Sequence, residues 1–238
     1  DPGQCPATCL FDGLSDIKIG GRNDGQKGGA MALIGYARVS TAEQDTALQT
    51  DALNKGFAAA HSDILAWLNS DDTYKPGAIR AAVNYLSHHP QVGMVYADLD
   101  FIDEQGQVVG KFPAAQTNLR RLRRGYVHVP QPATFFRADC WKKVQPLDDS
   151  FFFAMDYDLW VRLARVTQLV YLPGQTWANF RLHAGGKTLV ADERCWPEML
   201  RVHYRDGGKA LAPIVLKYHL RRLVAPFINW RRRRMIES

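Results

Sequence analysis

From Ile64 to His183 the sequence switches repeatedly between short apolar runs and stretches of helical periodicity, and this alternation points to an α/β sheet domain. The run ILAWLNSDD opens as an apolar strand at Ile64 and ends abruptly in polar residues. Pro76 and Gly77 open a helix, since proline is tolerated in a first turn. Ile79, Ala82, Val83 and Leu86 then fall at i, i+3, i+4 and i+7, so one helix face is buried, and Pro90 closes the element. Val92, Met94 and Tyr96 alternate with Gly93, Val95 and Ala97 as a strand, and Gln105–Gly106 turns the chain into a return strand, Val108–Phe112. PATFFRADCWKKV reads as a strand leading into a short helix. DYDLWVRLARV is a helix with Leu159, Trp160, Leu163 and Ala164 on one face, and LVYLP and TWANFRLH are two further strands.

The flanks differ in kind. Residues 1–30 are glycine-rich and aperiodic, and read as a flexible segment outside any domain. Ala32–Ala37 is a short apolar strand, followed by a helix that Thr41 caps and that buries Leu48 and Leu53. Residues 191–238 form a tail in which Leu211, Ile214, Val215, Tyr218, Leu223, Phe227 and Trp230 are interspersed with Lys217, Arg221 and Arg222. Such a basic amphipathic pattern fits either an anionic membrane surface or a terminal helix packed on the domain.

Net charge is +6, much of it in Arg120, Arg121, Arg123 and Arg124 and in Arg231–Arg234. Charge of this sign suits nucleic acid, anionic lipid or phosphorylated substrates without choosing among them, and equally suits a solvated face. Cys5, Cys9, Cys140 and Cys195 do not complete a zinc site. No run approaches the roughly 18 apolar residues that cross a bilayer, so the expected location is cytoplasmic, with membrane association through the tail.

Three polar sites carry chemistry. Asp71 and Asp72 stand where an apolar strand ends, the position at which ligands collect in open α/β sheets. At about 4 Å and an effective dielectric near 20, two such carboxylates repel by on the order of 4 kcal/mol. Magnesium or manganese would remove that penalty and could neutralise a diphosphate leaving group; the alternative is that the pair merely begins the next helix in water. Asp156 and Asp158 precede a helix, either as N-terminal caps or with one acting as a general base toward an acceptor hydroxyl. Arg181 and His183 end the last strand, where a neutral nitrogen ligand and a phosphate-binding guanidinium are both available.

Four segments, DALNKGFAAAHSDILAWLNSDDTYKPGAI, QPATFFR, AMDYDLWVRLA and FRLHAGGKT, occur in an order that resembles family 2 glycosyltransferases over roughly residues 51–190. The resemblance implies a partial GT-A, Rossmann-like mixed sheet with flanking helices. It implies transfer of a sugar, with inversion, from a nucleotide-sugar donor to a hydroxyl acceptor, with a divalent cation, manganese or magnesium. By that resemblance Asp71, Asp72 and Arg181 match donor-binding positions, Asp72 and His183 metal ligands, Asp156 the catalytic base, and Gln131 a polar position on the acceptor side. Met155 stands where many members carry an acidic residue, Gly186 where a serine is common, and Ser62 where a glycine is common.

No nucleotide-binding βα unit of that family is legible before residue 54. LIGYARVSTAEQDTALQTDAL instead resembles the first strand and helix of a serine recombinase, or resolvase, with Ser40 matching its nucleophile and Arg38 a nearby arginine. The other active-site arginines and the DNA-binding domain of that family have no counterpart, so recombination and DNA binding are not expected. The sequence therefore divides into residues 1–30, a resolvase-like fragment at 31–53, a glycosyltransferase-like domain at 54–190 and the tail at 191–238. The implied alternatives are a glycosyltransferase lacking part of its donor site, with weak or absent activity, a recombinase fragment, or an inactive gene fusion.

Overall fold

The structure, a computed structural model, describes residues 33–37, 46–182, 191–220 and 222–223. Strand β1 (Leu33–Ala37) precedes helix α1 (Thr46–Ala59), β2 (Ile64–Asn69), β3 (Thr73–Tyr74), α2 (Ala78–His88), β4 (Val92–Ile102) and β5 (Val108–Lys111). Then come α3 (Leu119–Leu122), a 3-10 turn at Gln131–Ala133, β6 (Thr134–Arg137), α4 (Ala138–Val144), α5 (Met155–Val166), β7 (Gln168–Arg181) and α6 (Ala191–Arg205). Residues 213–220 are also helical.

The described strands form one seven-stranded sheet in the order β1-β2-β6-β4-β7-β3, with β5 hydrogen-bonded to β4. β1 is parallel to β2 and β4 to β7, while β6 runs antiparallel to both β2 and β4. This is the expected mixed α/β sheet with flanking helices. Successive side chains of a strand point to opposite faces, and both faces here are covered. Leu65 and Trp67 of β2 and Met94 and Tyr96 of β4 pack with Leu53, Phe57, Trp141 and Trp160 from α1, α4 and α5. Ile64, Ala66, Val95 and Ala97 pack on the other face with Ala78, Ala82 and Leu86 of α2. Burial on both faces is why these strands read as nearly continuous apolar runs.

Two predicted strands prove to be one. Along β4, Ala97 lies opposite Leu172 but Asp98 lies opposite Thr176, so Pro173, Gly174 and Gln175 are looped out of a single β7. Pro173 has no N–H for the ladder, and Gly174 adopts a φ of 76°, a conformation that only glycine reaches without strain. The interruption is local, and the ladder resumes on the same partner.

The N-terminal strand and helix read from the sequence are both present. β1 pairs with β2 in continuous parallel register from Leu33↔Leu65 to Ala37↔Asn69. Helix α1 runs through the expected boundary at residue 54, and Leu53 and Phe57 on either side of it share one core. A βα unit thus stands ahead of β2 and covers that strand's edge. Arg38, Ser40 and Thr41 lie outside the described residues.

Part of the basic excess is structural. Asp206, at the end of α6, pairs with both Arg123 and Arg165, so one member of the 120–124 cluster serves as an internal tie. In the tail, Ile214 and Val215 are buried, whereas Leu211, Leu216, Leu220 and Leu223 are exposed. No helix among the described residues is long and apolar enough to cross a membrane.

Trp160 is fully buried, stacked on Trp67 at 5.7 Å and edge-on to Phe136 at 6.3 Å. Trp160→Ala is expected to destabilise the fold by about 3–5 kcal/mol in denaturant unfolding. Trp160→Phe should cost clearly less, because the buried indole N–H has no acceptor to lose.

Candidate functional site

Strand β2 ends at Asn69, and the turn that follows carries Asp71 and Asp72. Asp72 is 5% exposed and held from two sides. Its Oδ2 accepts from Asn69 Nδ2 at 3.2 Å, and its Oδ1 accepts from the backbone N–H of Arg181 at 3.0 Å. The last residue of β7 is thereby tied to the turn after β2, across 109 residues of chain. The Arg181 guanidinium donates to the carbonyls of Asp71 (3.2 Å), Asp103 (2.8 Å) and Glu104 (3.0 Å), so it ties the acidic turn and the 103–104 segment to the end of β7. Asp71, Asp72 and Arg181 thus meet at one corner of the sheet.

Burial raises the Asp72 carboxyl to about 7. The Arg181 N–H opposes that rise, the neighbouring Asp71 charge adds to it, and Asn69 opposes it. Asp72 is therefore a desolvated carboxylate whose hydrogen bonds only partly compensate the loss of water.

Gln131 lies in the 3-10 turn before β6, and its Nε2 donates to the Trp67 carbonyl at 2.7 Å. The side chain is thus fixed to β2 near the acidic turn.

Asp156 sits in the first turn of α5, one turn before Trp160 and on the same face, since i and i+4 align on a helix. Because Trp160 stacks on Trp67, that face looks toward β2. Its lengthwise position follows from α1. Residues 60–63 join the end of α1 to the start of β2, so α1 runs antiparallel to that strand and its first turns lie toward the carboxyl end of β2. Thr50, in those first turns, donates to Met155 Sδ at 3.1 Å. The start of α5 therefore lies toward the end of the sheet that carries Asp71 and Asp72.

Met155, at the position where the family resemblance implies an acidic residue, packs against the core and α1. Burial raises the Asp156 carboxyl to about 6, against the lowering by the N–H of Tyr157, which donates to Asp156 Oδ1 at 2.6 Å. Asp158, the other candidate on α5, is buried and paired with Arg162 and Arg205, which gives it a structural part.

His183 lies outside the described residues, and among the described residues no group of three or more His, Cys, Asp or Glu is arranged to hold a metal ion. Sequence reasoning passed over Asn69, whose spacing of three from Asp72 is the local signal of an Asn side chain bonded back within a turn. It also passed over Lys75, whose Nζ meets the buried Asp100 at 2.7 Å and pins the chain between β3 and α2 to β4. No local pattern marks that pair.

The family model for glycosyl transferase family 2 matches residues 37–160, more than half of the chain, and the chain belongs to that family. It is 30% identical over 135 residues to the O-antigen biosynthesis protein RfbC of Myxococcus xanthus, covering 56% of this chain and 10% of RfbC. An uncharacterized glycosyltransferase of Rickettsia bellii is 24% identical over 216 residues, covering 82% of this chain and 30% of that protein. The chain therefore spans less than a third of the length of either relative. Among solved structures, S. aureus TarS 1–349 in complex with UDP superposes with a TM-score of 0.49 at 12% identity, over 72% of this chain and 50% of that one.

Between the ordinary carboxylate value of 3.8 and about 7, folded Asp72 keeps a proton that the unfolded chain has released. Stability is therefore expected to fall as pH rises through that window, by roughly 1.4 kcal/mol per pH unit at most. Asp156, raised to about 6, acts in the same direction. Urea unfolding in chelator-treated buffer across this range should show the decline, and Asp72→Asn should flatten the larger part of it.

Proposed function

We propose that this domain transfers a sugar from a nucleotide-sugar donor to a hydroxyl acceptor, with inversion at the anomeric carbon. Family membership supplies the reaction class. The observation that carries the residue assignment is the common placement of Asp72 and Asp156 toward the carboxyl end of β2, the end where α/β sheets bind ligands.

Asp156 has the properties of a general base. Above about pH 6 it is ionised, and its raised value makes it a better proton acceptor than an exposed aspartate. In a single displacement the acceptor oxygen bonds to the anomeric carbon as the bond to the diphosphate breaks. The acceptor proton passes to Asp156 and the diphosphate departs as an anion. Attack from the face opposite the leaving group inverts the centre.

Asp71 and Asp72 fit a divalent cation. Asp72 is a buried carboxylate whose bound N–H groups leave it short of positive charge, and oxygen donors of this kind suit magnesium or manganese. Such ions are held by one or two carboxylates together with substrate phosphates, so two aspartates are sufficient protein ligands. When bound, the cation supplies charge neutralisation for the diphosphate. Asp72 with Asp71 would hold it, with His183 a further candidate ligand from the sequence. Arg181 serves the donor side by fixing the acidic turn, since its guanidinium is committed to backbone carbonyls. Gln131 belongs to the acceptor side. Nothing in the relatives favours a recombinase, and Arg38 and Ser40 carry no further argument.

Asp156→Asn should lower kcat by about 10²–10⁴-fold, with donor binding retained. The wild-type rate should rise with pH through about 6, a limb that the Asn variant loses. Asp72→Asn should abolish the manganese dependence of donor binding. Release of nucleoside diphosphate from a panel of UDP, dTDP and GDP sugars, with and without manganese, measures all three. Turnover that survives both substitutions overturns the assignment.

The tail supports a second contact, with an anionic membrane surface. Leu216, Leu220 and Leu223 recur at helical spacing and are 56%, 63% and 78% exposed, beside Lys217 and Arg222. Exposed leucines flanked by cations suit the boundary between acyl chains and anionic headgroups. The full chain should sediment with phosphatidylglycerol vesicles and not with phosphatidylcholine, and Leu216→Glu with Leu220→Glu should release it. Equal sedimentation with both lipids would overturn this reading.

A further inference from the structure

We propose that Glu198, on α6, is the positioning residue that sets Asp156 for proton transfer. The inference rests on Asp156 being the base. Its ground is one set of contacts: Glu198 Oε1 accepts from the backbone N–H of Phe152 at 3.0 Å, and Oε2 accepts from Phe153 at 2.7 Å and Ala154 at 2.9 Å. One carboxylate thus gathers three consecutive N–H groups of the turn that leads into α5.

The N-cap of α5 is Ala154, whose methyl group offers no side-chain acceptor. Helix starts leave backbone donors without partners, and an N-cap side chain usually meets that need. Here a residue from another helix, 44 to 46 positions away, binds the donors just ahead of the first turn. Its negative charge also faces the positive end of the α5 dipole. Asp156 follows Ala154 by two residues, so the turn that Glu198 holds decides where the Asp156 carboxylate stands.

The neighbouring contacts show that α6 grips this turn as a unit. Arg201 places its guanidinium 3.9 Å from the Phe151 ring centroid and donates to the Ser150 carbonyl at 2.7 Å. Arg205 pairs with Asp148 at 2.6 Å and with Asp158. These two act on side chains and on the outer part of the turn. Glu198 alone among the three holds the backbone immediately before the base. A displacement of about 1 Å at a reacting group can cost on the order of 10²-fold in rate.

The experiment compares Glu198→Ala, Glu198→Gln and Asp156→Asn in the full chain, using release of nucleoside diphosphate from the donor sugar panel with manganese. Glu198→Ala is expected to lower kcat by about 10–100-fold at unchanged donor KM, and to displace the acid limb of the pH–rate profile. Glu198→Gln keeps one acceptor oxygen for Phe153 and Ala154 and should fall between Ala and wild type. It also decides the matter should the Ala variant not fold. Amide exchange across residues 152–157 should rise in the same order. A folded Glu198 variant with wild-type kcat and pH profile overturns the inference, even if its melting temperature falls. Full turnover in Asp156→Asn overturns it together with the base assignment, and that result is read from the Asp156 variant alone.

Discussion

Trp67 and Trp160 lie stacked across the interface between β2 and α5, and the relation between the two acidic sites depends on that contact. Trp67 is two residues before the end of the strand that delivers Asp71 and Asp72. Trp160 is one helical turn after Asp156. Phe57, Phe136 and Trp141 close around the pair, so rotating α5 would open a cavity lined by large rings. Cavities of that kind cost several kcal/mol, a large share of the net stability of a domain. The apolar core therefore sets the bearing of a polar residue that contributes nothing to it.

Asp72 shows the opposite balance. Its burial works against folding whenever it is ionised, and hydrogen bonds from Asn69 and Arg181 offset only part of the cost. A carboxylate kept in such a place stores a preference for positive charge. A bound cation would satisfy that preference and recover stability in the same step, so binding and folding would be linked through one side chain.

The central elements were legible in the sequence because their periodicity is undiluted. The face of α2 formed by Ala82 and Leu86, with Ile79 and Val83 at its margin, and the strand that begins at Ile64 both stand where the apolar spacing puts them. β7 was harder, since Pro173 and Gly174 are ordinary terminators and nothing local says that pairing resumes on the same neighbour. The acidic turn and the first turn of α5 stood out as candidates through residue type and family likeness. The contacts that fix them did not. Arg181 N–H to Asp72 spans 109 residues, and Glu198 reaches its turn across more than 40. Such partners are chosen by the folded sheet, and a linear reading has no period or spacing from which to find them.

The looped-out residues of β7 have a consequence for how this chain can vary. Pro173, Gly174 and Gln175 are exposed and lie outside the ladder, so a residue gained or lost there leaves the pairing of Ala178 to Arg181 with Leu99 to Ile102 of β4 unchanged. The same change made between Thr176 and Arg181 would turn every later side chain to the opposite face and carry the Arg181 N–H away from Asp72. The loop at 173–175 can thus take up a change of length while sparing the far end of the strand.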